Sequence, residues 1–227
     1  MSEEPKVAIF SLMRDRADKI QGYKDQIYSF DYSNWTVNVC EGDSVDNTYE
    51  ILKAWEREEP RVKIYKLDLH RPLYGSVVCP ERFLILGTCN DYILNDLASD
   101  ESIDYYFYLQ MDLRFWNPRT VIRDLINSNK DIVGGMVWGN DVMYDTWGMT
   151  FLDGSNFPPL PKSWYQANGY NDIFEVSTVG SFFLAKGEII RNNVRFGIEE
   201  DVKEFCRNAR LLGYRVWCNP NINANHT

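Results

Sequence analysis

Apolar positions along this chain fall into alternating strand-like and helix-like periods. Val7-Ala8-Ile9-Phe10 is a short continuous apolar run of the buried-strand type, and Ile20, Tyr23, Ile27 and Phe30 then recur at helical spacing. Thr36 to Cys40 alternates as a strand does. Asn47, with Glu50 three positions on, marks a helix start, and Tyr49, Leu52 and Trp55 form that helix's inner face. Val62 to Leu67 alternates again, and Phe83, Leu86, Cys89, Ile93 and Leu97 supply a third helical face. Ile103 to Leu109 reads as a central strand, Asn117-Pro118 as the opening of a fourth helix, and Asp131 to Val137 as a further strand. Glu175 to Ala185 returns to strand character. Val202, Phe205, Cys206, Ala209 and Leu212 make a last helical face, stopped at Gly213, and Tyr214 to Cys218 closes as a strand. The alternation predicts one α/β domain without linker or repeat, with a mostly parallel central sheet and helices on both faces.

The texture changes after Trp138. Residues 138–172 hold Trp138, Trp147, Trp164, Tyr144, Tyr165 and Tyr170 among Gly, Asn and Pro, and a loop of this length inside a domain is usually functional or disordered. Its aromatics favour function. The chain of 227 residues, 44% hydrophobic and 25% charged, is globular in composition. Its net charge of −9 argues against broad phosphate-backbone binding but leaves room for a local basic groove. Five cysteines without a CxxC favour a reducing compartment. Met-Ser-Glu-Glu-Pro-Lys has no signal-peptide pattern, and no apolar run is long enough to span a bilayer, so the expectation is a cytoplasmic protein, in the host cytoplasm if viral.

Ligands of open α/β sheets bind beyond the carboxyl ends of the strands. Four such ends are polar here: Arg14, Asp15 and Arg16; Glu41, Asp43, Ser44 and Asp46; Asp68 and His70; and Asp112 with Arg114. Any one of these is explained by loop solvation, but four in register suggest a site. Asp112 ends an apolar strand and needs compensation, either from Arg114 or from a divalent metal serving a diphosphate. His226 is a solvated terminal residue on one reading. On the other, the preceding strand brings it back to the ligand edge as a metal ligand. Glu199-Glu200-Asp201 opens the last helix, as a complement to the helix dipole or as a general base. At a helix start, backbone N–H groups are expected to lower a carboxyl pKa. No GxGxxG, P-loop, GxSxG or HExxH motif is present.

On these residues the chain resembles GT-A type glycosyltransferases and, among them, the fungal Golgi α-mannosyltransferases of the mannan polymerase family. The likeness runs through Val7–Asp15, Glu41–Thr48, Arg82-Phe83, Cys89-Asn90, Leu109–Leu113, Lys130–Val133, Trp138, Val179–Lys186 and His226. It implies a metal-dependent transfer of a sugar from a nucleoside-diphosphate sugar to a hydroxyl acceptor, either a glycan or a hydroxylated base of viral DNA. The resemblance assigns Mn²⁺ or Mg²⁺ to Asp112 and His226, and the donor to Arg14, Arg16, Glu41, Asp43, Asp46, Arg82, Asn90 and Gln110. Asp201 or Glu200 is the candidate base, and Trp138, Trp147 and Trp164 the candidate acceptor contacts. Residues 1–112 would form the donor-binding half and 113–227 the acceptor-side half. Two departures stand out: the family's Asp-x-Asp reads Gln110-Met111-Asp112, and its Arg-Asn pair reads Cys89-Asn90. No run of the length of the family's membrane anchor stands in this sequence, so the expectation is a protein detached from a Golgi membrane. The rival readings are a non-catalytic carbohydrate- or nucleotide-binding derivative and a nucleotidyltransferase. The latter wants a Gly-rich loop where Ser11-Leu12-Met13-Arg14 stands.

Overall fold

The computed structural model describes residues 4–75 and 78–227. In chain order the elements are β1 (Val7–Met13), α1 (Ile20–Ser29), β2 (Trp35–Glu41), α2 (Thr48–Glu58), β3 (Val62–Lys66), α3 (Pro80–Leu97), β4 (Tyr105–Leu109), β5 (Leu113–Phe115) and α4 (Val121–Asn127). There follow β6 (Ile132–Gly139), β7 (Val142–Met143), α5 (Lys162–Ala167), β8 (Phe174–Val176), β9 (Phe182–Lys186), α6 (Gly187–Arg191), α7 (Val202–Leu211) and β10 (Val216–His226). One sheet runs in the order β3-β2-β1-β4-β9-β6-β10-β5, with β7 on β6 and β8 on β10. The sheet is largely parallel, and β9 lies antiparallel between β4 and β6.

Strand periodicity divides the core between the two faces. Ala8 and Phe10 of β1 point to one face, where Cys89, Ile93 and Leu94 of α3 and Val202, Phe205 and Ala209 of α7 cover them. Val7 and Ile9 point to the other, against Tyr23 and Ile27 of α1, Leu52 and Trp55 of α2, and Leu125 of α4. Helices on both faces follow directly from this two-sided burial.

Four boundaries differ from the sequence reading. The helix expected at Asn117-Pro118 begins at Val121. The run from Glu175 to Ala185 is not one strand: β8 and β9 are separated by a segment containing Gly180 and Ser181. The final strand continues past Cys218 to His226, because a register shift between Cys218 and Asn223 absorbs Pro220, which has no N–H to give a ladder. Segment 138–172 is not a free aromatic loop. It contains β7 and α5, and its Phe157 and Tyr165 pack with Phe174 and Trp138 in the core.

Candidate functional site

Parallel pairing of β2, β1 and β4 brings their carboxyl ends to one edge, with Met13 opposite Glu41. The loops leaving β1 and β2 are sewn together. The N–H groups of Asp15, Arg16 and Ala17 donate to Ser44 Oγ (3.0 Å), Thr48 Oγ1 (2.7 Å) and Asp46 Oδ2 (3.1 Å), and Val45 N–H donates to Asp15 Oδ1 (2.7 Å). Asp43 accepts N–H bonds from Leu69, His70 and Arg71, tying the third loop to the second. Burial pushes the Asp43 pKa up, but those backbone donors and the Arg14 charge prevail and hold it low. Glu41 is fully buried, with Lys66 Nζ at 2.6 Å and Ser44 N–H at 3.1 Å. The acids expected to hold the donor thus spend much of their acceptor capacity on shaping the loops.

A cavity of about 300 Å³ opens at this edge, lined by Arg14, Arg16, Asp43, Arg82, Gln110, Asp112, Tyr144 and His226 over a floor that includes Cys40 and Cys89. Asp112 and His226 meet because β10 runs antiparallel to β5, with His226 opposite Leu113 and Thr227 N–H on Asp112 O at 2.9 Å. His226 Nε2 lies 3.2 Å from Asp112 Oδ2, whereas Asp112 Oδ1 is buried without a hydrogen-bond partner. Tyr144 stacks on the imidazole, centroids 3.9 Å apart. Burial raises the Asp112 pKa, but the hydrogen bond and charge of His226, with Arg16, lower it more, so the carboxylate is ionised at neutral pH. Arg114 is not its partner: that guanidinium donates to the carbonyls of Met111 (3.0 Å) and Leu113 (2.7 Å). Among the described residues no group of three or more His, Cys, Asp or Glu side chains is assembled for a metal. One carboxylate and one imidazole, with Asp112 Oδ1 left unpartnered, are ligand types that fit a divalent cation.

Asp201 is 4% exposed, with Oδ1 unpartnered and a backbone φ of 51°, a conformation that L-residues seldom adopt. Its side chain makes no capping bond; Glu204 instead accepts from the N–H groups of Glu199 and Glu200. The expectation that the helix start would lower its pKa is therefore corrected. Burial pushes it up to about 7, helped by the charges of Asp145 and Asp91 and opposed by Arg82. Asp201 does not line the cavity but lies within electrostatic reach of Arg82 and Tyr108, which do. Glu200 is not brought to the donor edge. It is half-buried, paired with Arg207, and lines a separate cavity with Lys203 and Thr178.

The remaining candidates separate by burial. Asn90 is fully enclosed with both amide atoms unpartnered, and Gln110 Nε2 is 3.5 Å from Tyr108 Oη. Trp138 is 3% exposed and donates to Asn223 Oδ1, so it is a core residue and not an acceptor contact. Trp147 stacks on Phe83, the neighbour of Arg82, with centroids 4.9 Å apart and Lys203 Nζ 4.7 Å from its ring. Trp164, 36% exposed, lies edge-on to Tyr165 and away from the cavity lining. Sequence reasoning missed Asp145. Its Oδ2 accepts from Ser181 N (2.5 Å) and Oγ (2.7 Å), and its Oδ1 from Gly148 N (3.1 Å). No period or motif marks that residue; Gly148 and Gly180, which leave it room, are the nearest signal.

No family model matches the chain. Solved structures do. A mannosyltransferase from Pyrobaculum calidifontis, PcManGT, in complex with GDP-Man and Mn²⁺, superposes with a TM-score of 0.62 at 14% identity, over 99% of this chain and 57% of that one. S. aureus TarS 1–349 in complex with UDP-GlcNAc gives 0.63 at 13%, over 98% and 59%. GalNAc-T7 with UDP, GalNAc and Mn²⁺ gives 0.58 at 10%, over 97% and 43%. The fold is GT-A. The likeness is to GT-A glycosyltransferases at large and not to the fungal mannan polymerases in particular. In sequence, human procollagen-lysine,2-oxoglutarate 5-dioxygenase 2 is 28% identical over 154 residues, 61% of this chain and 20% of that protein, and the mouse protein is 27% identical over the same span. The chain thus spans about one fifth of the length of the curated relatives it matches. No helix among the described residues is long and apolar enough to cross a membrane.

Proposed function

We propose that this chain is a metal-dependent glycosyltransferase that moves a sugar from a nucleoside-diphosphate sugar to a hydroxyl acceptor. The observation that carries the reading is the Asp112–His226 pair, with its unpartnered Asp112 Oδ1, at the edge of a cavity lined by Arg14, Arg16 and Arg82. The solved structures of this fold that contain Mn²⁺ with GDP-Man, or with UDP and GalNAc, support it. A divalent cation such as Mn²⁺ or Mg²⁺ would neutralise charge growing on the departing diphosphate. Arg14, Arg16 and Arg82 would orient the phosphates, since guanidinium groups match phosphate oxygens in pairs. To Asp201, poised near neutrality and within electrostatic reach of Arg82, we assign the role of taking the acceptor hydroxyl's proton once ionised. Trp147, stacked on Phe83 beside Arg82, is the candidate aromatic face for an acceptor glycan or hydroxylated base. Gln110, in place of a second carboxylate, favours one alternative, a binding protein without catalysis.

The test is calorimetric titration of GDP and UDP with Mn²⁺ and then with EDTA, paired with hydrolysis of the sugar nucleotides. Metal-dependent binding with slow hydrolysis supports the enzyme, and binding with no turnover of any donor supports the alternative. Affinity unchanged by chelation would remove the metal from the reading.

A further inference from the structure

We propose that Asp145 is a positioning residue: its carboxylate, seated in the recess left by Gly148 and Gly180, holds Tyr144 flat on His226 and so fixes the imidazole against Asp112. The inference rests on the donor-site reading above and adds a residue to it.

The geometry forms a closed ring. Asp145 takes three donors from two separate segments, Gly148 N–H from its own loop and Ser181 N–H and Oγ–H from the residue just before β9. Ser181 in turn accepts Gln110 N–H on its carbonyl at 3.1 Å, two residues before Asp112. On the other side, Tyr144 is anchored by its N–H on Val137 O at 2.8 Å, and its ring lies on His226 at an interplanar angle of 16°. The seat is shaped for a carboxylate: a methyl group on Gly180 would overlap Asp145 Oδ2, and one on Gly148 would crowd Oδ1. Such a clamp joins the turn that carries Asp112 to the loop that carries Tyr144, while β10 delivers His226 between them. Partners of this outer kind set ligand orientation and are worth about ten- to a hundred-fold in metal affinity.

The chain contains only two histidines, and His70 is 88% exposed, so histidine NMR reads His226 against an internal reference. In the full chain, the His226 ring protons should resonate upfield of His70, because the Tyr144 ring faces them. Asp145→Ala and Gly180→Ala should each abolish that shift, as Tyr144→Ala must, and weaken Mn²⁺-dependent GDP or UDP binding by about ten-fold or more. In Asp145→Ala/Gly180→Ala the added methyl meets no carboxylate, so the double variant should be no worse than Asp145→Ala alone. If Gly180→Ala does not fold, Asp145→Ala and Ser181→Ala, which only delete clamp atoms, carry the test. A His226 resonance unmoved in the clamp variants, or a double variant with fully additive losses, overturns the proposal. If the wild-type chain binds no nucleotide, the donor-site reading fails separately, and the His226 shift still judges Asp145.

Discussion

Replacing Asp201 with Asn tests the buried acid through two observables of opposite pH dependence. The Asp201 carboxyl is lifted from 3.8 to about 7 by burial first, then by the charges of Asp145 and Asp91, against the pull of Arg82. At ~1.4 kcal/mol per pH unit, that lift corresponds to about 4 kcal/mol. The folded chain keeps the proton to higher pH than the unfolded chain does. The cost is therefore absent below about pH 4, grows as pH rises toward 7, and is complete above it. Asn cannot ionise and escapes this cost. Relative to wild type, Asp201→Asn should gain about 4 kcal/mol between roughly pH 4 and pH 8, equivalent to about 8–16 °C in Tm for a chain of this size. Urea unfolding of both proteins across that range measures it, and contributions from other titrating groups largely cancel in the difference. Transfer by the wild type should rise with pH and level off above about 7, while the variant should be nearly inactive at every pH. A stability difference that does not change with pH would refute the buried-acid reasoning and remove the main support for Asp201 as base.

Four further outcomes follow from the same geometry. Asp112→Asn should lose metal-dependent nucleotide binding without unfolding, because Arg114 is not its partner; circular dichroism beside calorimetry checks both halves. Deleting His226 and Thr227 removes one end of β10 and should leave the fold intact while abolishing metal dependence of binding; retained dependence would return His226 to a structural role. Trp138→Ala should cost about 3–5 kcal/mol of stability as a core truncation. Trp147→Ala, by contrast, should forfeit about 0.5–1.5 kcal/mol of stacking on Phe83 beyond what its partial burial contributes, and depress transfer more than donor hydrolysis, whereas Trp138→Ala acts through the core; melting curve and assay separate the two tryptophans.

Local pattern by itself determined the architecture. The continuous apolar run Val7–Phe10 and the alternating apolar positions of Thr36–Cys40 and Val62–Leu67, with helical faces between, are enough to dictate strands and helices, because each must bury its apolar side whatever its neighbours are. The same logic marks Asp112, since a carboxylate ending a buried strand is conspicuous in one dimension. Whether it pairs with Arg114 or with His226 is not, because that depends on β10 turning antiparallel to β5 beyond the Pro220 irregularity. Tertiary structure alone decided that Trp138 lies in the core, that Glu200 turns away to Arg207, and that Asp201 is buried without capping its helix. It alone seated Asp145 beneath Ser181. Burial and solvation are set by elements distant in sequence, and they, more than residue type or spacing, decide which acid titrates, which aromatic is exposed and which polar atom is left for a ligand.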